Sequence, residues 1–180
     1  MEYEIRAARA SEIPAISALI TSSARGLSRN DYSDEEIEAA VSFIFGVDSE
    51  LISVGTYFVA EAGGEFIGCG GWSRRRTLFG GDQATSREKG VLDPARDAAR
   101  IRAFFVHPDW ARRGVAKALL ERCEQEAQAA GFSALELMST LPGVRFYSAM
   151  GYEASEPILT HAGAAVLKFV PMRKQVCRKV

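Results

Sequence analysis

The chain has 180 residues, of which 47% are hydrophobic and 25% charged, and its formal net charge is −1. That length fits one domain over residues 1–180 with a substantial core, and the composition excludes an extensively disordered chain. The near-neutral balance supplies no bulk field for nucleic acid or an anionic membrane, so any anion site must be local.

The cysteines, Cys69, Cys123 and Cys177, are odd in number and widely separated, which reads as reduced thiols and not as a disulfide framework. No metal site is expected, because His107 and His161 have no close Cys or His company. Met1 to Arg6 has neither a basic start nor an apolar core, and no window approaches the ~18 apolar residues that span a bilayer. The expectation is a cytoplasmic protein without a membrane partner.

Tyr3 to Ala7 alternates as a strand. Ser11 then offers an N-cap to a helix carrying Ile13, Ile16, Leu19 and Ile20, with Pro14 in its first turn. Arg25 to Asp31 reads as a polar, mobile connection, and Ser33 with Glu36 forms a capping box for a second helix that ends before Gly46. Tyr57–Ala62 and Glu65–Trp72 are β-rich runs joined by Gly63-Gly64, a two-residue hairpin turn. Gly68, Gly70 and Gly71 weaken the second run and predict a bulge or a close backbone approach. Arg74-Arg75-Arg76 opens a long connection to about Ala98; the arginines are either a solvated surface or a site for an acidic acceptor.

The most informative stretch follows. Arg100 to Val106 is a β-rich run, His107 to Ala116 is a basic turn with Gly114, and a helix then carries Leu119, Leu120, Cys123 and Ala127 on one face until Gly131. A helix start presents unpaired N–H groups and partial positive charge, and Arg112 and Arg113 beside a glycine suit a pyrophosphate. An anionic cofactor is the expectation. A strand over Ser133–Met138, a short helix from Val144 to Met150, and extended runs at Tyr152–Leu159 and Ala165–Met172, paired antiparallel, complete the chain.

The segment Val106-His107-Pro108-Asp109-Trp110-Ala111-Arg112-Arg113-Gly114-Val115-Ala116, followed by Leu119-Leu120, resembles the cofactor turn of the GNAT superfamily of acetyl-CoA-dependent N-acetyltransferases. Phe146-Tyr147-Ser148-Ala149-Met150-Gly151-Tyr152 is a second match, and the order of elements fits over nearly the whole chain. The resemblance implies an α/β fold of mixed α+β type, with a twisted, mostly antiparallel sheet, two splayed parallel strands and flanking helices.

It also implies acetyl-CoA as cofactor, CoA as product, and a small-molecule or peptide amine as acceptor. The pyrophosphate would lie on Arg112, Arg113, Gly114, Val115 and Ala116, with Ala111 just ahead where the family usually has Gln or Arg. Phe104, Phe105 and Val106 would pair with pantetheine, and a backbone N–H near Val106 would face the oxyanion. Ser139 and Thr140 either contact CoA or cap the helix starting at Leu141. Tyr147 would be the general acid toward the departing thiolate.

The general base is open, because Arg100 stands near where many members carry a Glu; Glu61, Asp97, His161 or a water chain could serve. Trp72 and Tyr32 either pack or touch an acceptor. A homodimer through the C-terminal strand fits the family. A non-catalytic acyl-CoA-binding sensor is the alternative from another class. A nucleotide triphosphatase lacks its Gly-x-x-x-x-Gly-Lys-[Ser/Thr] pattern.

Overall fold

The computed structural model describes residues 2–85 and 87–176; Cys177 lies outside them. A mixed sheet holds eight strands, β1 (Glu4–Ala7), β2 (Tyr57–Ala62), β3 (Glu65–Ser73), β4 (Ala99–Val106), β5 (Ala134–Thr140), β6 (Glu153–Ala154), β7 (Ile158–Ala162) and β8 (Ala165–Gln175). Their spatial order is β1-β2-β3-β4-β5-β8-β6, with β7 also paired to β8. Every pair is antiparallel except β4 with β5.

Helices cover both faces. On one, α4 (Val115–Ala129) and α5 (Leu141–Ala149) enclose a core of Phe58, Ile67, Leu119, Leu120, Phe132 and Leu135. On the other, α1 (Ile13–Leu27), α2 (Asp34–Phe43) and α3 (Ser49–Ser53) bury Ile16, Leu19, Ile20, Leu51, Ile37 and Ala40. The sheet is thus apolar on both sides, and a cavity through it opens toward two separate helical layers.

Local chemistry accounts for several elements. The Ser33–Glu36 capping box is present, with Glu36 N–H donating to Ser33 Oγ at 3.2 Å and Ser33 N–H donating to the Glu36 carboxylate at 2.7 Å. Gly63 and Gly64 form the β2–β3 turn with φ of 59° and 86°.

Other expectations need correction. Ser11 does not cap α1; it lies in a 3-10 turn over Ala10–Glu12, which Glu12 closes by accepting from the Arg9 N–H at 2.8 Å. Helix α1 continues through Leu27, where the sequence predicts a mobile connection; Ala24 is buried in the cluster with Tyr32, Ile37 and Ala40, and Arg25 pairs with Glu38 of α2 at 2.7 Å on the surface. The short α3, capped by the Asp48 carboxylate, has no counterpart in the sequence reading.

Candidate active site

Strands β4 and β5 hydrogen-bond only at their beginnings, where Ala99 opposes Leu135 and Arg100 opposes Glu136. Beyond that vertex each strand follows its other neighbour, β4 with β3 and β5 with β8, so the two diverge. Divergence coincides with a bulge: the β3–β4 register shifts between Cys69 and Gly71, and Ala103 takes φ of 53°. Gly70 is a structural requirement there, since a Cβ would lie 2.6 Å from the Phe104 ring. The Tyr57 hydroxyl donates to the Ala103 carbonyl at 3.0 Å and fixes the kink from the opposite face.

The divergence opens a cavity of about 690 Å³ that runs through the sheet. Phe104, Phe105, Val106, Ala111, Arg112, Gly114, Val115, Ala116, Ser139, Thr140 and Tyr147 all line it. Arg113 does not; its guanidinium lies over the Trp110 ring, 5.2 Å from the centroid.

At one mouth, Gly114 holds φ of 86° and begins α4 without any side-chain cap. The first N–H groups of a 15-residue helix are therefore left to a ligand, beside Arg112 and Lys117. This donor set fits a pyrophosphate, and two strand edges that part from each other fit an extended chain carrying amide groups.

Tyr147 sits on α5 against Phe146 and Tyr152, with ring centroids 5.0 and 5.7 Å away. Burial raises its phenol well above the ordinary value, so the hydroxyl stays protonated. Thr140 is the N-cap residue of α5, yet its side chain makes no cap bond. Tyr32 supplies that bond from outside the helix: its hydroxyl accepts from Leu141 N–H at 3.0 Å and donates to the Lys168 carbonyl at 2.6 Å. Ser139 turns its hydroxyl onto the Thr140 carbonyl at 2.8 Å.

The backbone near Val106 carries a feature that the sequence did not announce. Val106 N–H donates to Ser23 Oγ of α1 at 3.2 Å, and Ser23 is buried and lines the cavity. A signal existed: Ser23 extends the stripe Ile16, Leu19, Ile20 at helical spacing, a hydroxyl on an otherwise apolar face.

The second mouth is built from Leu27, Ile44, Phe45, Phe79, Phe105 and Phe169. Phe45 lies 5.5 Å from Phe105 and 6.2 Å from Phe169, and Phe79 lies 5.9 Å from Phe169, all ring to ring. The connection after β3 forms part of this wall because a buried ion network ties it down. Arg102 of β4 donates to the carbonyls of Thr77 and Gly80 at 3.0 and 2.7 Å and pairs with buried Asp48 at 2.9 Å, while Arg87 bridges Asp48 and Asp82. Desolvation pulls the Arg102 pKa below its ordinary value, against the pull of Asp48.

The other candidates lie elsewhere. Glu61 pairs with Arg6 at 2.6 Å, Asp97 accepts from Asp93 N–H at 2.7 Å, and His161 is exposed on β7. Arg100 ion-pairs with Glu136. Arg74, Arg75 and Arg76 do not line the cavity, and Arg75 pairs with Glu50 at 2.9 Å. Trp72 packs on Phe132 under α4 and donates to Glu126 at 3.2 Å, away from either mouth. Cys69 and Cys123 are buried, and burial lifts the Cys69 thiol to about 12, which leaves it unreactive. Among the described residues no His, Cys and carboxylate cluster could hold a metal, and no helix is long and apolar enough to cross a membrane.

Solved structures share this architecture. A GCN5-related N-acetyltransferase from Rhodopseudomonas palustris superposes with a TM-score of 0.72 at 21% identity, covering 98% of this chain and 97% of that one. PaiA N-acetyltransferase from Thermoplasma acidophilum, solved with coenzyme A, gives 0.66 at 16% identity over 97% and 99%. YncA from Salmonella typhimurium, solved with its cofactor acetyl-CoA, gives 0.64 at 16% identity over 100% and 97%. At these identities the likeness speaks for the fold. No curated protein sequence matches the chain significantly. A family model, the acetyltransferase (GNAT) domain, matches residues 28–176, a stretch that includes both walls of the parted strands and the turn before α4. The chain belongs to the GNAT acetyltransferase family, whose enzymes use acetyl-CoA.

Proposed function

We propose that the chain moves an acetyl group from acetyl-CoA to a primary amine by direct attack, with Tyr147 as the acid toward the leaving thiolate. The observation that carries this reading is the cavity between β4 and β5, with an uncapped helix start at one mouth and Tyr147 in its wall. Acetyl-CoA, when bound, supplies the thioester that the amine attacks.

The residues then take distinct tasks. The turn from Arg112 to Ala116 holds the pyrophosphate with backbone N–H groups, and Arg112 and Lys117 add charge. Phe104, Phe105 and Val106 present backbone to the pantetheine amides, with Ser139 and Thr140 on the facing strand. For the carbonyl oxygen, Val106 and Ser23 act as a pair: the hydroxyl accepts from the backbone and has its own proton to donate, polarised by the bond it accepts. Tyr147 keeps its proton at any physiological pH and donates to sulfur as the C–S bond breaks.

A non-catalytic CoA-binding module is favoured by one observation, that no carboxylate or imidazole lines the cavity among the described residues. Calorimetric titration with acetyl-CoA, CoA and ATP, followed by an assay of thiol release with an amine panel, separates the readings. Saturable acetyl-CoA binding with amine-dependent thiol release supports the enzyme; binding without release under any amine supports the module; no binding by the folded protein sinks both.

A further inference from the structure

We infer that the acceptor is a primary amine carried on an aromatic or otherwise apolar body, with no second charge, and that it enters as the free base. This rests on the acetyl-transfer reading and assigns its substrate class. Two independent observations carry it, the walls of the second mouth and the charges around the whole cavity.

The walls come first. Phe45, Phe79 and Phe105 are partly exposed at the mouth on the α1–α2 side, and buried Phe169 backs them in edge and tilted contacts, which leaves ring surface of the first three for a guest. Phe79 is half-buried, so part of its surface remains to be covered. The backbone that carries it is fixed by Arg102 at Thr77 and Gly80, by Gly81 N–H on the Ile44 carbonyl at 2.8 Å, and by Gln83 on the Phe45 carbonyl at 2.8 Å. Such a wall is preformed, and it rewards an apolar guest by the area it removes from water.

The charges point the same way. The ionisable groups lining the cavity among the described residues are Arg102, Arg112, Lys117 and Tyr147. Asp48 stands behind Arg102 and is saturated by Arg102 and Arg87. The position early on β4 is Arg100, paired with Glu136 at the vertex, and Glu61, Asp97 and His161 lie outside the cavity. An ammonium would therefore find no carboxylate to hold it and no side chain to take its proton, while a carboxylate on the acceptor would find Arg102 already engaged by Asp48 and by the Thr77 and Gly80 carbonyls, and Arg112 and Lys117 away at the start of α4.

The atom balance fits the uncharged form. A neutral amine forms the N–C bond, the thioester C–S bond breaks, sulfur gains one proton and nitrogen loses one, and nothing is released to a base. An ammonium must lose a proton first, and this cavity leaves that step to bulk water.

The test compares 2-phenylethylamine, phenylalanine amide, free phenylalanine and 1,4-diaminobutane as acceptors at saturating acetyl-CoA from pH 6 to 10. The expected kcat/KM for 2-phenylethylamine exceeds those for phenylalanine and the diamine by at least about tenfold, by the weight of apolar burial and unpaired charge. For each active amine, kcat/KM rises with pH to a midpoint at that amine's own pKa, so phenylalanine amide levels off at lower pH than 2-phenylethylamine. Phe79→Ala raises KM for 2-phenylethylamine about tenfold without weakening acetyl-CoA binding, and that binding also reports that the variant is folded. Preference for the diamine or for free phenylalanine, or one midpoint shared by all amines, overturns the inference while acetyl-CoA binding and thiol release keep the acetyl-transfer reading intact. Failure of the folded wild-type protein to bind acetyl-CoA overturns both.

Discussion

Arg100 and Glu136 form an ion pair across the last hydrogen-bonded residues of β4 and β5, at the vertex where the two strands part. Arg173 of β8 also donates to Glu136, so three strands are fastened at this point. The pair sits at the start of both strands and holds the cavity's closed end.

A charge-swap series tests the clamp. Arg100→Glu sets two carboxylates face to face and is expected to destabilise the protein by about 1–2 kcal/mol, near 2–4 °C in Tm per kcal/mol for this size. The side chains are partly exposed, which keeps the figure small. Arg100→Glu combined with Glu136→Arg and Arg173→Glu, which reverses every charge at the vertex, is expected to recover most of the loss in urea unfolding. A full charge reversal no more stable than Arg100→Glu alone would mean that these ion pairs do not hold the vertex.

Tyr147→Phe separates chemistry from binding. The hydroxyl bonds to no side chain or backbone group among the described residues, so its removal is expected to leave Tm unchanged or slightly raised. Turnover should fall about 10²–10⁴-fold with acetyl-CoA affinity within about twofold of wild type. Unchanged turnover in an active protein would remove Tyr147 from the mechanism.

What the sequence discloses and what it hides divide along interaction range. The Ser33–Glu36 box, the Gly63-Gly64 hairpin and the turn before α4 depend on residues within a few positions of one another, and all were readable. So was the splay of parallel strands, through the family resemblance. The second mouth was not, because Phe45, Phe79, Phe105 and Phe169 come from four distant segments and meet only in the fold. Arg102 looked like one more charge on a β-rich run; its partner Asp48 lies 54 positions earlier and doubles as the cap of α3. The Arg74-Arg75-Arg76 run drew attention by composition, but it stays outside the cavity because the chain turns it toward Glu50 and solvent.

Tyr32 links the α1–α2 connection to the helix bearing Tyr147. Tyr32→Phe keeps the ring among Phe169 and its neighbours but leaves the Leu141 N–H and the Lys168 carbonyl without the hydroxyl they share. A cost of about 1–3 kcal/mol is expected. Because α5 is then less firmly placed, kcat should fall several-fold while KM for acetyl-CoA moves little. A fall in Tm with unchanged kcat would confine Tyr32 to stability.

Alkaline conditions should unfold the protein through its buried acids. Burial raises the pKa of Tyr32 to about 12, that of Cys69 to about 12, and those of Tyr57, Tyr147, Tyr152 and Cys123 further above their ordinary values. The unfolded chain releases these protons near 9.0 for thiols and 10.0 for phenols, while the folded protein retains them. The unfolded state therefore binds fewer protons in that range, and stability falls as pH rises, by up to about 1.4 kcal/mol per unit for each group. Below about pH 8 these groups contribute almost no slope, because the thiols of the unfolded chain are still protonated there. Urea midpoints measured at pH 8, 9.5 and 10.5 should fall modestly over the first step, where the thiols of the unfolded chain ionise, and more steeply over the second, where the phenols join them; a level midpoint through pH 10.5 would mean that these groups ionise as freely in the folded protein as in the unfolded chain.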